Sequence, residues 1–559
     1  MLASSKPNKR ISQDIKSLLM ASGFAACLIS PMSNSAEPSS KPNQPANNIN
    51  FQIKARPLGE VLKEIAVKSG INFKLADGLQ KDKVTATLSG KDWSEASQSL
   101  LKGYNYAVEV GKAGEWQTVT VSGKNGDGKL AGGPAVKFQT YTRTQKADLP
   151  SRLQSLNNGS VTPITLPLAT LKGMKPGKKI SLDLPSGPSN FVHDNRFEHK
   201  NGDVTWVGYP ENDGVPNRAM IAIGKYGTMG HIITDEGAYQ IITEDGQTYL
   251  VDINASGLES GSLLEDQAIA NPDTASSNAG LFIVSAGGSP KSASTSSNSP
   301  NSLPTPYNTS TTGGATKSNA ISTIDLLVIY SKGLEQPETR INYLTDLTNQ
   351  AFLDSKINAK IRVVKIEAVD YNETGDNSEA LSDLTNGTAP FDKIKALREK
   401  NGADLVTLIR PFHGSSQKGC GIAWVNGVNG GAISPFLGYS VASDGMDKDG
   451  QLVYCGEQTL AHELGHNLGN VHDRPFTDAA GAYPYSYAWG VDGSFGTIMS
   501  YRRPSLLVFA TPLLGDACHG QPCGYPEGNP NASDNTATIN QIAPTVAGFL
   551  PTVITDKPR

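Results

Sequence analysis

Cysteine is scarce in this sequence, with five in 559 residues. That excludes a small fold held by dense disulfides. Between residues 28 and 419 there is none. Excess positive charge is lacking too: 49 Lys and Arg face 53 Asp and Glu, a net charge of −4. A broad basic surface for nucleic acid is thereby excluded. No run of about 18 or more apolar residues occurs, so no membrane-spanning helix is expected. Charged residues are 18% and hydrophobic residues 38%, which leaves enough apolar surface for most of the chain to fold. At roughly 150 residues per domain, the length suggests three to four domains.

What is present begins with an N-terminus that reads as an export signal. Lys6, Lys9, Arg10 and Lys16 precede an apolar run from Ser17 to Ile29, and small residues near Ser33, Ser35 and Ala36 offer a cleavage site. Residues 1–36 are therefore expected to be removed, leaving a secreted or periplasmic protein. Lipidation at Cys27 is the less favoured alternative, because Leu28 and Ile29 continue the apolar core beyond it. In an oxidising compartment disulfides are the default state of the other four cysteines. Of three pairings, Cys420–Cys455 and Cys518–Cys523 are expected; zinc ligation is the alternative, but these spacings fit no common zinc-finger pattern.

Composition then divides the chain. Residues 37–49 and 124–135 are polar or Gly-rich linkers. From about Ala255 to Ser322 the sequence is rich in Ser, Asn, Thr, Gly and Pro. It is expected to be flexible and to contain the maturation cut. Between the first two breaks, residues 50–124 alternate strand and helix patterns in a β-α-β-β-α-β order. Phe51–Ile53 is a strand, and a helix from Pro57 carries Leu58, Val61, Leu62 and Ile65 at helical spacing. This pattern resembles the short N-terminal domain of secretins and TonB-dependent receptors, which implies docking to an envelope or secretion partner. A plain α+β spacer is the alternative. Residues 136–254 read as strands between Gly-containing turns; their order resembles prodomains that precede reprolysin-like catalytic domains. Residues 323–551 alternate strands and helices, which suggests a largely parallel sheet with helices on its faces.

The chemistry is concentrated in Thr459-Leu-Ala-His-Glu-Leu-Gly-His-Asn-Leu-Gly-Asn-Val-His-Asp473. His462 and His466 are four apart and share a helix face. Gly469 allows the left-handed turn that ends the helix, and the chain doubles back to bring His472 to the same ion. Three neutral imidazoles with one open position make a catalytic rather than a structural zinc site. Glu463, next to His462, can reach the open side as general base. His193, His199, His231, His413 and His519 are isolated and read as surface or satisfied side chains.

Twenty-seven residues after His472 comes Met499, within Gly496-Thr-Ile-Met-Ser-Tyr501. The long histidine motif followed by this turn resembles the metzincin zinc proteases. Asp473 after the third histidine is similar to the reprolysin (adamalysin) branch, whereas Tyr501 is similar to astacins and serralysins. The resemblance implies a twisted, mostly parallel five-stranded sheet, an active-site helix, and Met499 as a packed floor beneath the metal. It implies Tyr501 as a displaceable ligand or a hydrogen-bond donor to the oxyanion. A peptide substrate is expected along an edge strand near Gly419–Val425, with specificity set by a wall near Arg502–Pro512. No Gly-rich calcium repeats follow, so a structural calcium has no motif behind it.

Two functions stay open. One is a zinc endopeptidase made as a precursor and acting on proteins or peptides. The other is a binding or adhesion protein that keeps the metzincin domain as an inert scaffold. For a precursor, the lack of any cysteine between residues 28 and 419 rules out a thiolate plug on the metal from the upstream domains. An Asp or Glu carboxylate, or one of His193, His199 and His231, could occupy that position. Steric cover of the Gly419–Val425 edge is the equal alternative.

Overall fold

A computed structural model describes residues 49–124 and 139–554, apart from 76–77, 91–92, 102–103, 111–115, 141–145, 212–215, 262–265, 271–282 and 286–320. The expected signal segment with Cys27, and most of the Ser-rich stretch, lie outside the described residues. No described helix is long and apolar enough to cross a membrane.

The chain divides into two units, residues 1–126 and 127–559. In the first, strand Ile49–Pro57 pairs antiparallel with Lys83–Gly90, and Asn72–Leu75, Trp116–Lys124 and Tyr104–Val110 form a second sheet. Helix Leu58–Ser69 buries Leu58, Val61, Leu62 and Ile65 and ends on Gly70 in the left-handed conformation. Their i, i+3, i+4 and i+7 spacing makes one apolar stripe, closed against Val84, Leu88, Val119 and Val121.

The second unit opens with a nine-stranded sheet among the described residues, running from Gln139–Thr140 to Gln247–Asp252. Its pairings are antiparallel throughout. One face holds Phe191, Trp206, Ile221, Ile232 and Ile241 in a core of its own. The other face contributes Val207, Met220 and Ala222 to the core of the C-terminal region, against Ile341, Leu344 and Leu347.

Those three lie on helix Pro337–Asp354, whose polar residues are buried too. They are satisfied across the joint: Asp346 by His199 (2.8 Å) and Thr205 (2.5 Å), Gln350 by Asn195 (3.0 Å), and Asp354 by Arg218 (2.8 Å). His231 Nδ1 meets Tyr343 Oη at 2.6 Å, and His193 Nδ1 meets the Val207 carbonyl at 3.0 Å. The three histidines considered as metal plugs are thus engaged elsewhere, which corrects that expectation.

Among the described residues, the C-terminal region contributes six strands to its main sheet, the shortest being Val453–Cys455, antiparallel to Tyr439–Met446. Ala359–Val369, Ser322–Ser331, Leu405–Pro411 and Tyr439–Met446 are mutually parallel, and Gly421–Trp424 closes one edge antiparallel. Helices Pro337–Asp354, Asn377–Asn386, Ile394–Asn401, Thr459–Asn467 and Asn535–Val546 accompany them. The stretch after Ala255 was expected to be flexible, yet its described parts form strands. Glu259–Ser260 pairs with Val453–Tyr454, and Gln267–Ala270 pairs in parallel with the Gly421–Trp424 edge. Ile283–Ser285 pairs antiparallel with Gln267–Ala270. The reason is backbone chemistry: an open edge offers N–H and C=O groups that any extended chain satisfies, whatever its composition.

Candidate metal centre

The helix Thr459–Asn467 is buried on every side, so its position is fixed by its neighbours. Asn467 Nδ2 donates to the carbonyls of Trp424 (3.0 Å), Leu437 (3.1 Å) and Tyr439 (3.0 Å). One side chain thereby ties the helix to the edge strand and to the approach of its neighbour. The reversal after the helix needs Gly469. Its φ is 84°, and a Cβ there would overlap Ile542. Asn470 holds the reversal through Gly465 O (3.1 Å) and is held in turn by Asn535 (2.9 Å). Asn467, Asn470 and Asn535 are structural to the site and carry no spacing that would have marked them in the sequence.

His462, His466 and His472 converge. Nε2 of His472 lies 3.2 Å from Nε2 of His462 and 3.1 Å from Nε2 of His466. Nδ1 of His462 points to the Ile498 carbonyl (2.7 Å), and Nδ1 of His466 to that of Asn470 (2.9 Å). Each of these Nδ1 atoms acts as donor, which leaves the matching Nε2 with a free lone pair. Burial pushes His466 down, and His472 down to about 3, so these rings are neutral. Lone pairs facing one another at such distances repel unless a cation lies among them. Tetrahedral ligands at zinc–nitrogen distances of about 2.0–2.1 Å would be about 3.4 Å apart, close to what is found. The donor set therefore fits zinc.

Asp266 completes the cluster. Its carboxylate is 2.8 Å from His472 Nε2, 3.1 Å from His462 Nε2 and 3.6 Å from His466 Nε2. The four ligand atoms all lie within 4.8 Å of one another. Tyr501 Oη donates to Asp266 Oδ1 at 2.6 Å, and the Tyr501 ring lies 3.9 Å from that of His472.

Glu463 is fully buried, and neither of its carboxylate oxygens has a hydrogen-bond partner among the described residues. Burial, then the charge of Asp266, hold its carboxyl well above the usual range. Its space comes from Gly421 on the edge strand, where a Cβ would overlap the Glu463 carboxylate. Met499 is buried beneath the helix at Gly465, where a Cβ would collide with its sulfur. Asp473 pairs with Arg502 (2.8 Å) and accepts from Tyr501 N (3.3 Å), fixing the turn after Met499.

Cys420 is bonded to Cys455 and Cys518 to Cys523. The first disulfide packs with Phe412 beside Tyr501, and the second closes a small core with Phe495, Leu506 and Val508. The wall expected over Arg502–Pro512 is only partly a surface. Leu506 to Ala510 are buried, because Val508 O accepts from Ile498 N (2.8 Å) and draws this stretch under the turn. Arg502 to Ser505 stay partly or fully exposed.

Residues 316–525 match a family model described as metallo-peptidase family M12B, reprolysin-like. Residues 139–256 match one described as a BamI lipocalin-like domain. A peptidyl-Asp metalloendopeptidase of Pseudomonas aeruginosa is 29% identical over 268 residues, which is 42% of this chain. The chain spans about two-fifths of that relative's length (41%). Among solved structures, metalloproteinase-II from Bacteroides fragilis aligns at a TM-score of 0.32 and 14% identity, over 53% of this chain and 81% of that one. An archaemetzincin from Methanopyrus kandleri aligns at 0.21 and 16% identity, over 39% and 95%. Scores that low carry no argument. The sequence matches do: this is a chain of several domains, with a β-rich region ahead of a metallopeptidase domain that matches the reprolysin-like family.

Proposed function

We propose that the chain is the precursor of an exported zinc endopeptidase. The reading rests on one observation above the rest: a buried carboxylate without a partner, Glu463, beside three imidazoles whose lone pairs converge. Burying an unpaired carboxyl group costs stability, and an inert scaffold would gain by losing it. That weighs against the non-catalytic adhesion reading.

His462, His466 and His472 would hold zinc, which would supply Lewis-acid chemistry at the site. Glu463 accepts the proton of the attacking water and delivers it to the leaving amine. Tyr501, once its hydroxyl is free of Asp266, can donate to the developing oxyanion. The Gly421–Trp424 edge offers backbone groups to an extended peptide, which gives affinity with little sequence choice. Met499 packs and does not ligate. The test is zinc content together with casein hydrolysis by the processed protein. His472→Ala should lower both, because it removes one of three ligands. Full zinc with no hydrolysis in the parent protein would favour the scaffold.

The relative's name gives it a preference for aspartyl peptides. In this chain Arg503 is a half-buried guanidinium with no carboxylate in ion-pair range among the described residues; it touches Ser260 Oγ at 3.4 Å. Burial lowers its pKa, offset in part by Tyr454, Asp266 and Tyr501. Arg502, by contrast, is neutralised by Asp473 and Asp492. We assign Arg503 the recognition of an acidic substrate side chain. Arg503→Gln is expected to lower kcat/KM for Asp-containing peptides by about 10- to 100-fold, the worth of a hydrogen bond to a charged group. The matching Asn peptide should change little. An equal fall for both would remove Arg503 from recognition.

A further inference from the structure

The path of the chain before the catalytic strands bears on how the precursor is silenced. Glu259 N donates to Leu452 O (2.8 Å) and Gly261 N to Tyr454 O (2.7 Å). At Gly261 the segment crosses the Cys420–Cys455 disulfide so closely that a Cβ would lie 2.7 Å from the Cys420 sulfur. Asp266 then enters the histidine cluster, and the strand Gln267–Ala270 follows the edge. Ala423 N donates to Asp266 O (3.0 Å) and Val425 N to Ala268 O (3.0 Å). Gln267 is fixed sideways by Thr477 (3.0 Å).

This single stretch does two things at once. Its backbone takes the hydrogen bonds that the edge would offer a substrate. Its carboxylate sits where the open position of the metal would be, and it also occupies the Tyr501 hydroxyl. Asp266 is fully buried, and its Oδ2 has no hydrogen-bond donor among the described residues. Its oxygens lie within 2.8–3.6 Å of all three Nε2 atoms, so four ligand atoms converge on one point.

We propose that Asp266 is the fourth protein ligand of the metal in the precursor, and that Glu259–Gly261 and Asp266–Ala270 form a built-in inhibitor holding it there. This rests on the zinc-peptidase reading above. With Asp266 in place the site is closed, of the kind that is structural rather than catalytic. Removal of the segment returns the open position, the free Tyr501 hydroxyl and the edge together.

The test uses the full-length chain carrying Glu463→Gln, so that it is not self-cleaved, with cobalt in place of zinc. Its visible spectrum should not respond to added thiocyanate, because no coordination position is free. With Asp266→Ala added, thiocyanate should shift the spectrum. A chelator should strip zinc at least about tenfold faster, since outer partners of metal ligands already count for about 10- to 100-fold in affinity. Asp266→Asn, which keeps the volume and the strand pairing, should lie between them and guards against a folding defect in the alanine variant. If the parent chain responds to thiocyanate as fully as both variants, Asp266 is not a ligand and the segment acts by cover alone. If no form of the chain takes up cobalt or zinc, the zinc-peptidase reading fails, and the latch with it.

Discussion

Glu463→Gln is expected to lower kcat of the processed enzyme by about 100- to 10,000-fold while the zinc content stays at the parent's level. The range is that of a positioned general base. Glu463 lies outside the ligand cluster of Asp266, His462, His466 and His472, so its loss removes no bond to the metal. Glutamine has the same shape and keeps clear of Gly421, so the edge strand has no reason to move. Glutamine also leaves no carboxyl group to be charged in a buried position without partners. The variant should therefore unfold no more readily than the parent, and the loss in rate cannot be blamed on instability. Hydrolysis of casein, metal analysis and a thermal midpoint on the same preparation check all three. Equal loss of zinc and activity would make Glu463 a ligand and overturn its role as base.

Local spacing made part of this site readable. His462 and His466 lie one helical turn apart, and Gly469 supplies a conformation that other residues resist, so the sequence alone fixed where His472 must return. The stripe Leu58, Val61, Leu62, Ile65 was readable for the same reason. Asp266 was not. It lies in a polar stretch, and its place in the cluster depends on backbone pairing with a strand more than 150 residues away, which leaves no periodic trace. The local hints are short: Leu263-Leu264 before it and Ala268-Ile-Ala270 after it. The partners of helix Pro337–Asp354 left no local trace either. Its polar Asp346, Gln350 and Asp354 are buried because the β-rich region supplies their partners. The apolar run Leu506–Ala510 looks like a pocket wall and is core. In both cases a long-range neighbour, absent from the local pattern, decided the outcome.

The buried charges around Arg340 should give the largest effect on stability. Its guanidinium meets Asp444 with Nε to Oδ2 at 2.8 Å and Nη2 to Oδ1 at 2.7 Å, and meets Glu457 with Nη1 at 2.7 Å. All three side chains are about one-tenth exposed or less. Burial alone would lower the Arg340 pKa, but the two carboxylates hold it above its ordinary value. Gln240 of the β-rich region donates to the other oxygen of Glu457 (2.6 Å). The cluster thus joins helix Pro337–Asp354, strand Tyr439–Met446, the turn just before helix Thr459–Asn467 and the β-rich region. Arg340→Met fills similar volume but leaves Asp444 and Glu457 facing each other without a cation. Breaking a buried pair in this way costs about 3–5 kcal/mol. Exposed pairs such as Lys332–Asp370, both more than half exposed, are worth roughly 0–1 kcal/mol, so Lys332→Ala serves as control. Denaturant unfolding of the full-length Glu463→Gln chain should show the loss as a lower midpoint at unchanged slope. Adding Asp444→Asn to Arg340→Met should recover part of it, because one of the two stranded charges is then gone. A midpoint within about 1 kcal/mol of the parent for Arg340→Met would mean that water reaches Asp444 and Glu457, and that the joint between the two regions does not depend on this cluster.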